Sequence, residues 1–401
     1  MAKASVNGKS TLKSVLTATI FVCSFLSLVI NSVVKTANIS FPITIVLSLA
    51  VLILTLSLFL LNAYNISLFQ GLILVSLISC YLAVYLIQGS GLEYAINLIA
   101  VIGILSVIPY LDYSGVVYKI MTYLFYAFVV LIILFAPKTD LGKTAGLISF
   151  NNLNPNCSSI ILMVTSIFVL KRIETIKSQN KKIALIILLL LIYYFQLQFS
   201  SRIALLGSAL FLAYYFLRNK INKISKNKVV FLSLIVLLLS PVFCYLYSVT
   251  LFNIIGKGNL IIMGKDIFTG RQVIWKEAFE YIENDLILGL GNTFKSTFYA
   301  SSTEASNLHN QMMGCLVCFG IVNMIIFAVA YSSSIGKIWQ NPNLKFTATY
   351  LLLLIIISYT ETIFYSSSTV FAVIFGATML CGGNGENNDK ENSLRLDREQ
   401  S

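Results

Sequence analysis

Three side chains far apart in the sequence, Arg202, Arg271 and His309, carry most of the reactive chemistry that this chain offers between its apolar stretches. Two guanidiniums can hold a phosphate-bearing group in the planar, bidentate way that lysine cannot. Histidine, with an unperturbed pKa of about 6.5, can accept a proton near neutral pH, and His309 is the only histidine in 401 residues. The three together suggest transfer from a diphosphate-linked donor. Each also has a plainer reading. His309 could be a helix-start residue bonding backbone, Arg271 a surface-helix residue paired with a local acid, and Arg202 an arginine snorkelling to a membrane interface.

Four further residues form the candidate substrate-binding set. Glu361 is an ionisable residue near the end of an apolar segment, which makes it a functional candidate and a partner for an arginine. Trp275 can be a core anchor or a substrate platform. Asn156 closes the turn Asn154-Pro-Asn156, whose asparagines can bond backbone or ligand. Asn310 follows the histidine directly. Arg271, Trp275, Ala278 and Ile282 share one face of a short helix by their spacing, with Thr269 or Gly270 able to cap it. The chain has no His-Glu-x-x-His, no Walker loop, no dinucleotide fingerprint after a strand and no external acidic pair at metal-binding spacing, so neither a metal nor another cofactor is expected. Cys315-x-x-Cys318 is a single pair inside an apolar stretch, and the cysteines read as small buried hydrophobes.

The elements that must position these residues are membrane helices. Hydrophobic residues make up 57% of the chain and charged residues 11%, against about 45–50% and about 25% in soluble domains. The formal charge of +12 sits in short runs between apolar segments, which sets membrane orientation rather than marking a nucleic-acid partner. Stretches near 15–34, 42–61, 67–87, 94–111, 117–136, 157–171, 183–199, 203–217, 229–248, 309–332, 347–363 and 366–382 each approach the roughly 20 residues needed to cross a bilayer. The expected fold is therefore an all-α integral membrane protein of about twelve transmembrane helices with one large external loop. Residues 1–382 form the polytopic domain, about 249–308 the external catalytic loop, and 383–401 a disordered cytoplasmic tail.

The basic runs Lys171 to Lys182, Arg218 to Lys228 and Lys337 to Lys345 all fall inside on this count, as do both termini. Only 35 residues separate Lys182 from Arg218, about 52 Å of helix, and both ends must be inside. The segment has to go out and return with no length left for a protruding loop. Ser200-Ser201-Arg202 is thus expected at the outer boundary.

The ordered set Asn154-Pro-Asn156, Ser201-Arg202, Thr269-Gly-Arg271 with Trp275, Leu288-Gly289-Leu-Gly291, His309-Asn310 and Gly320-Ile321 resembles the O-antigen ligase and Wzy-type polysaccharide polymerase superfamily. The resemblance covers about two thirds of the chain, most sharply residues 154–320. It implies a GT-C-like membrane glycosyltransferase acting on undecaprenyl-diphosphate-linked glycans at the external face of the bacterial cytoplasmic membrane. It further implies that Arg202 and Arg271 engage the lipid diphosphate and that His309 helps to activate the acceptor hydroxyl. The expected activity is polymerisation of lipid-linked repeat units into capsular, exo- or O-antigen polysaccharide. Expected partners are membrane lipids, a flippase and a chain-length regulator. Transfer of finished glycan to a final acceptor, as by a ligase, is the alternative within the superfamily. A transporter or flippase is the alternative of another class, and would favour interrupted helices and ionisable residues near the bilayer midplane.

Overall fold

The computed structural model describes residues 2–33, 37–62, 67–111, 115–134, 155–198, 202–251, 261–262, 265–266, 271–283, 285–297, 308–361, 363 and 367–381. The expected tail 383–401, most of the loop 138–156 and the capping positions Thr269 and Gly270 lie outside them.

The described residues form thirteen α-helices: α1 Ala2–Val33, α2 Ala37–Leu61, α3 Leu68–Gln88, α4 Leu92–Val107, α5 Gly115–Leu134, α6 Pro155–Thr175, α7 Gln179–Gln198, α8 Arg202–Ile221, α9 Lys226–Tyr245, α10 Arg271–Ile282, α11 Gln311–Gln340, α12 Lys345–Ile357 and α13 Ser367–Cys381. All but α10 coincide with the apolar stretches of the sequence. The strands among the described residues form a two-residue antiparallel ladder, β1 Ile261–Ile262 with β2 Lys265–Asp266. Four of the helices, α3, α7, α9 with the turn that follows it, and α11, are long and apolar enough to cross a membrane.

Burial orders these helices. The apolar stretch of α11 is 72% buried and that of α7 only 22%, so α11 is the central post and α7 faces outward. Packed along α11 are α9, α3, α12 and α4. On α7 and α3 the outward residues are Ile187, Leu190, Leu72, Val75 and Leu86, all exposed. Exposed apolar faces of that kind have no place in water and match a bilayer. A polar seam inside the bundle joins α6, α7 and α8, where the Gln196 amide donates to the Ser159 carbonyl at 3.3 Å and the Ser208 hydroxyl donates to Gln196 Oε1 at 3.0 Å.

The helices run so that the basic segments gather at one end. There Arg218 pairs with Glu174 at 2.6 Å, Lys337 donates to Gln70 at 2.8 Å, Trp339 Nε1 donates to the Ile224 carbonyl at 2.9 Å, and Lys345 donates to the Asn222 carbonyl. The opposite end collects the start of α11, the turn after α12 and α10, through Arg271 to Glu361 and Trp275 to Leu308. α7 and α8 are separated only by residues 199–201, so the tight outward-and-back hairpin required by chain length is present.

Candidate active site

The site forms at the end of the bundle away from the basic segments, where three elements converge. α10 begins at Arg271, whose guanidinium donates to Glu361 Oε1 at 2.8 Å. Glu361 Oε2 lies 3.5 Å from His309 Nδ1. One carboxylate thus stands between the arginine and the histidine, although the three are separated by 90 and 52 positions in sequence. The side chains are 13% (Arg271), 12% (Glu361) and 21% (His309) exposed. At that exposure the charges are partly shielded from water yet still reachable, which strengthens their interaction over that of a surface pair.

His309 is held from both sides. Trp275 Nε1 donates to the Leu308 carbonyl at 2.7 Å, and Asn310 caps α11, its Oδ1 accepting from the Met313 amide at 2.9 Å. The Asn310 amide also donates to Ser240 Oγ at 2.9 Å on α9 and to the Tyr359 carbonyl at 3.0 Å after α12. Between these two fixed points His309 has φ +49, the only positive φ outside glycine among the described residues. Left-handed backbone of this kind is uncommon for a side-chain-bearing residue, though histidine tolerates it better than most, and it persists only where the surroundings impose it. Here it directs the ring toward Glu361.

The turn that presents Glu361 is tied to the same helix start. The Gln311 amide donates to the Ser358 carbonyl at 2.9 Å and the Glu361 amide to the Ile357 carbonyl at 3.1 Å. Gln311 Nε2 donates to the Tyr94 hydroxyl at 2.6 Å, bringing in α4, and the Tyr359 hydroxyl donates to the Val236 carbonyl of α9.

Two of the expected substrate contacts take supporting positions instead. Trp275 is fully buried beside Phe243 and Tyr247 with its one donor spent on backbone, so it anchors the residue before His309 and offers no face to a sugar. Asn310 is likewise fully buried as a cap. Arg202 is the first residue of α8. Its element is placed by Gly207, where a Cβ would stand 3.1 Å from Ile357 Cδ1, close to the turn that carries Glu361. The side chains of Arg202 and Asn156 lie outside the described residues. Ser240, Tyr359, Gln311 and Tyr94 were not singled out from sequence. The available signal was a polar group inside an apolar helix, which must find a partner there.

The glycines of the sequence pattern serve a different purpose. α11 is broken at Gly320, with φ +79 and ψ 174, a conformation essentially confined to glycine. The groups released by the break are met by the loop after α10. Leu290 and Gly291 amides donate to the Val317 and Cys318 carbonyls at 2.8 and 2.9 Å, and the Ile321 amide donates to the Leu286 carbonyl at 2.9 Å. A Cβ on Gly320 would fall on the Ile287 carbonyl, and one on Gly289 would stand 2.5 Å from the Gly320 nitrogen. The sequence marks 309–332 as one apolar stretch, and the structure breaks it at Gly320. Its interruption is the feature expected of a transporter, but here the vacated backbone groups are filled by the protein's own loop rather than left for an ion or solute.

These features define a helical membrane protein with a partly buried arginine, carboxylate and histidine at one end of the bundle. Residues 183–328 match the Wzy_C family model, described as O-antigen ligase. The match spans α7 to the middle of α11 and includes Arg202, Arg271, Trp275, His309 and Asn310, bearing out the resemblance to the O-antigen ligase and Wzy-type superfamily. A match over that stretch points to a glycosyl-transferring enzyme of the O-antigen ligase kind. No match was found among curated proteins or solved structures.

Proposed function

We propose that the protein polymerises undecaprenyl-diphosphate-linked oligosaccharide repeat units, moving a growing glycan onto a hydroxyl of the next lipid-linked unit at the external face of the cytoplasmic membrane. The observation that carries this reading is the contiguity of Arg271, Glu361 and His309 around one carboxylate. In such a transfer the bond from the anomeric carbon to the lipid diphosphate breaks as the acceptor oxygen attacks, so negative charge grows on the leaving phosphate and a proton leaves the hydroxyl. Arg271, with Arg202, stabilises the first. His309 takes the second through Nε2, with Glu361 at Nδ1 fixing the ring and balancing the imidazolium charge, the same division of labour as in an Asp-His pair. The GT-C-like arrangement of about twelve crossings belongs to this proposal.

The family description favours a second reading, transfer of finished glycan to a final acceptor. The two share donor chemistry and differ in acceptor. The test is the polymer ladder and the pool of lipid-linked intermediates in cells, normalised to membrane protein level. Arg271→Lys keeps the charge but loses the planar pair of donors, and should lower turnover by about 10²–10³. His309→Asn keeps a residue that tolerates positive φ and removes the base, so single lipid-linked repeats should accumulate at unchanged abundance. Near-normal ladders from both variants would move the chemistry elsewhere. Loss of transfer to a final acceptor with an intact lipid-linked ladder would select the ligase.

A further inference from the structure

At the end of the bundle opposite His309, a cleft of about 660 Å³ opens between the start of α3, the start of α9 and the end of α11. Lys226 and Lys337 both line it, together with Gln70, and among the described residues none of those lining it is acidic. Lys337 is set in place by Gln70 Oε1 at 2.8 Å and by the Tyr110 ring, 4.8 Å from its ammonium. The stem of Lys226 passes over Gly336, within 3.5 Å of where a Cβ would stand.

The backbone adds positive charge to the same place. Two helix starts meet at the cleft, α3 behind its cap Ser67 and α9 with Lys226 as its first residue. The α9 cap, Ser225, makes no side-chain bond to the first turn, so the amides there are not satisfied by a cap. Lysine in a first turn is opposed by the helix dipole, and an anion beside it relieves both the dipole and the ammonium. Membrane orientation accounts for lysines in a loop, yet it calls for no cleft. The wall completes the pattern. Phe69 and Phe231 line the mouth and are 56% and 61% exposed on the outward, lipid-facing side, and Leu234 continues the apolar strip one turn further along α9. A free inorganic anion has no use for that strip, whereas acyl chains do.

We propose that this cleft binds an anionic phospholipid of the surrounding leaflet. The headgroup phosphate is held by Lys226, Lys337 and the first turn of α9, and the acyl chains lie along Phe69, Phe231 and Leu234. The lipid would tie α3 and α9 to α11, the helix whose other end presents His309, about 20 Å from Lys226 to Ser240 along α9 at 1.5 Å per residue.

Native mass spectrometry of the full-length protein, delipidated in detergent and given equimolar phosphatidylglycerol and phosphatidylcholine, tests this directly. Phosphatidylglycerol should dominate the bound lipid. Lys226→Gln should reduce that preference about five-fold, and Lys226→Gln with Lys337→Gln about thirty-fold, with phosphatidylcholine retention unchanged. Excess inorganic phosphate should neither displace the lipid nor raise the melting temperature as it does. Equal retention of the two lipids by the native protein, or the same preference in native protein and Lys226→Gln, overturns the proposal. Phosphate alone reproducing the stabilisation makes this an ion site and overturns the lipid. Lys337 is hydrogen-bonded to Gln70, so if the double variant does not fold, Lys226→Gln alone decides.

Discussion

Glu361 is the residue on which the site turns, because it faces both Arg271 and His309. Its place explains why an arginine can occupy the first turn of α10 against the helix dipole: the carboxylate offsets what the dipole opposes. Glu361→Gln keeps an oxygen for Arg271 and removes the charge that faces the histidine. Turnover should fall about 10²-fold with little change in abundance, and the loss should appear in kcat more than in KM. A variant whose loss lay wholly in KM would make Glu361 a substrate contact and not a partner of the histidine. Glu277, six residues along α10 from Arg271, has a separate task. Its carboxylate accepts from the Thr297 amide at 2.9 Å and from the hydroxyls of Ser296 and Thr297. Partial burial pushes its pKa up, but these three bonds outweigh it and the carboxyl is held below its ordinary value. A depressed carboxyl contributes its stabilisation above the usual carboxylate range and loses it as pH falls through the lowered value. Amide exchange at Thr297, corrected for intrinsic rate, should therefore stay protected from neutral pH into mild acid and be lost only below that range. Glu277→Gln should weaken the protection at neutral pH and remove its acid dependence.

Among the elements, α11 and the loop after α10 behave as one unit. The Val317 and Cys318 carbonyls and the Ile321 amide, released at Gly320, find partners in residues 286–291, while the Phe319 carbonyl accepts from the Asn323 side-chain amide at 2.7 Å, and the loop is in turn held by Gln88, which donates to the Gly289 carbonyl at 2.9 Å, and by Ser90, which accepts from the Asn292 amide at 3.0 Å. Gly320 lies nine positions after Gln311, about 14 Å along the helix. The loop therefore enters the bundle and does not lie over it. Unsatisfied backbone at that depth costs several kcal/mol per group, which is why neither partner can be changed alone. Gly320→Ala forces a side chain into glycine-only backbone and onto the Ile287 carbonyl. It should destabilise by at least about 1–3 kcal/mol from backbone strain alone. The expected result is a lower melting temperature in detergent and reduced membrane abundance. An alanine variant with native stability would mean that the break is not required.

At the scale of the molecule, the basic segments and the polar site occupy opposite ends of the same helices. Lys226 and Ser240 bracket α9, and Gln311 and Lys337 bracket α11. The positive-inside rule then orients the whole bundle. Reporter fusions after Asn180 and Lys226 should report cytoplasm, and one at Thr293, exposed in the loop after α10, should report the outside. A cytoplasmic Thr293 reporter would put the site on the wrong side for an external glycan and remove its proposed role.

The sequence by itself determined the helices and the residue types of the site. Apolar length and the punctuation between segments are local properties, so twelve stretches read from hydropathy coincide with α1 to α9 and α11 to α13. The types of Arg271, His309 and Glu361 were equally legible, because an ionisable group at the end of an apolar segment is costly unless it is used. Only the tertiary structure decided which of them meet. Trp275 could have been a sugar platform until its ring proved to be enclosed and its N–H bound to Leu308, and the pairing of Glu361 with both Arg271 and His309 depends on how α12 docks against the start of α11. The glycine pair at 289 and 291 and the glycine at 320 looked like separate marks in the chain. Their meaning is a set of backbone hydrogen bonds between segments about thirty positions apart, and no periodicity encodes a bond of that range. Such bonds arise only when packing brings two broken backbones within reach, each supplying what the other has lost.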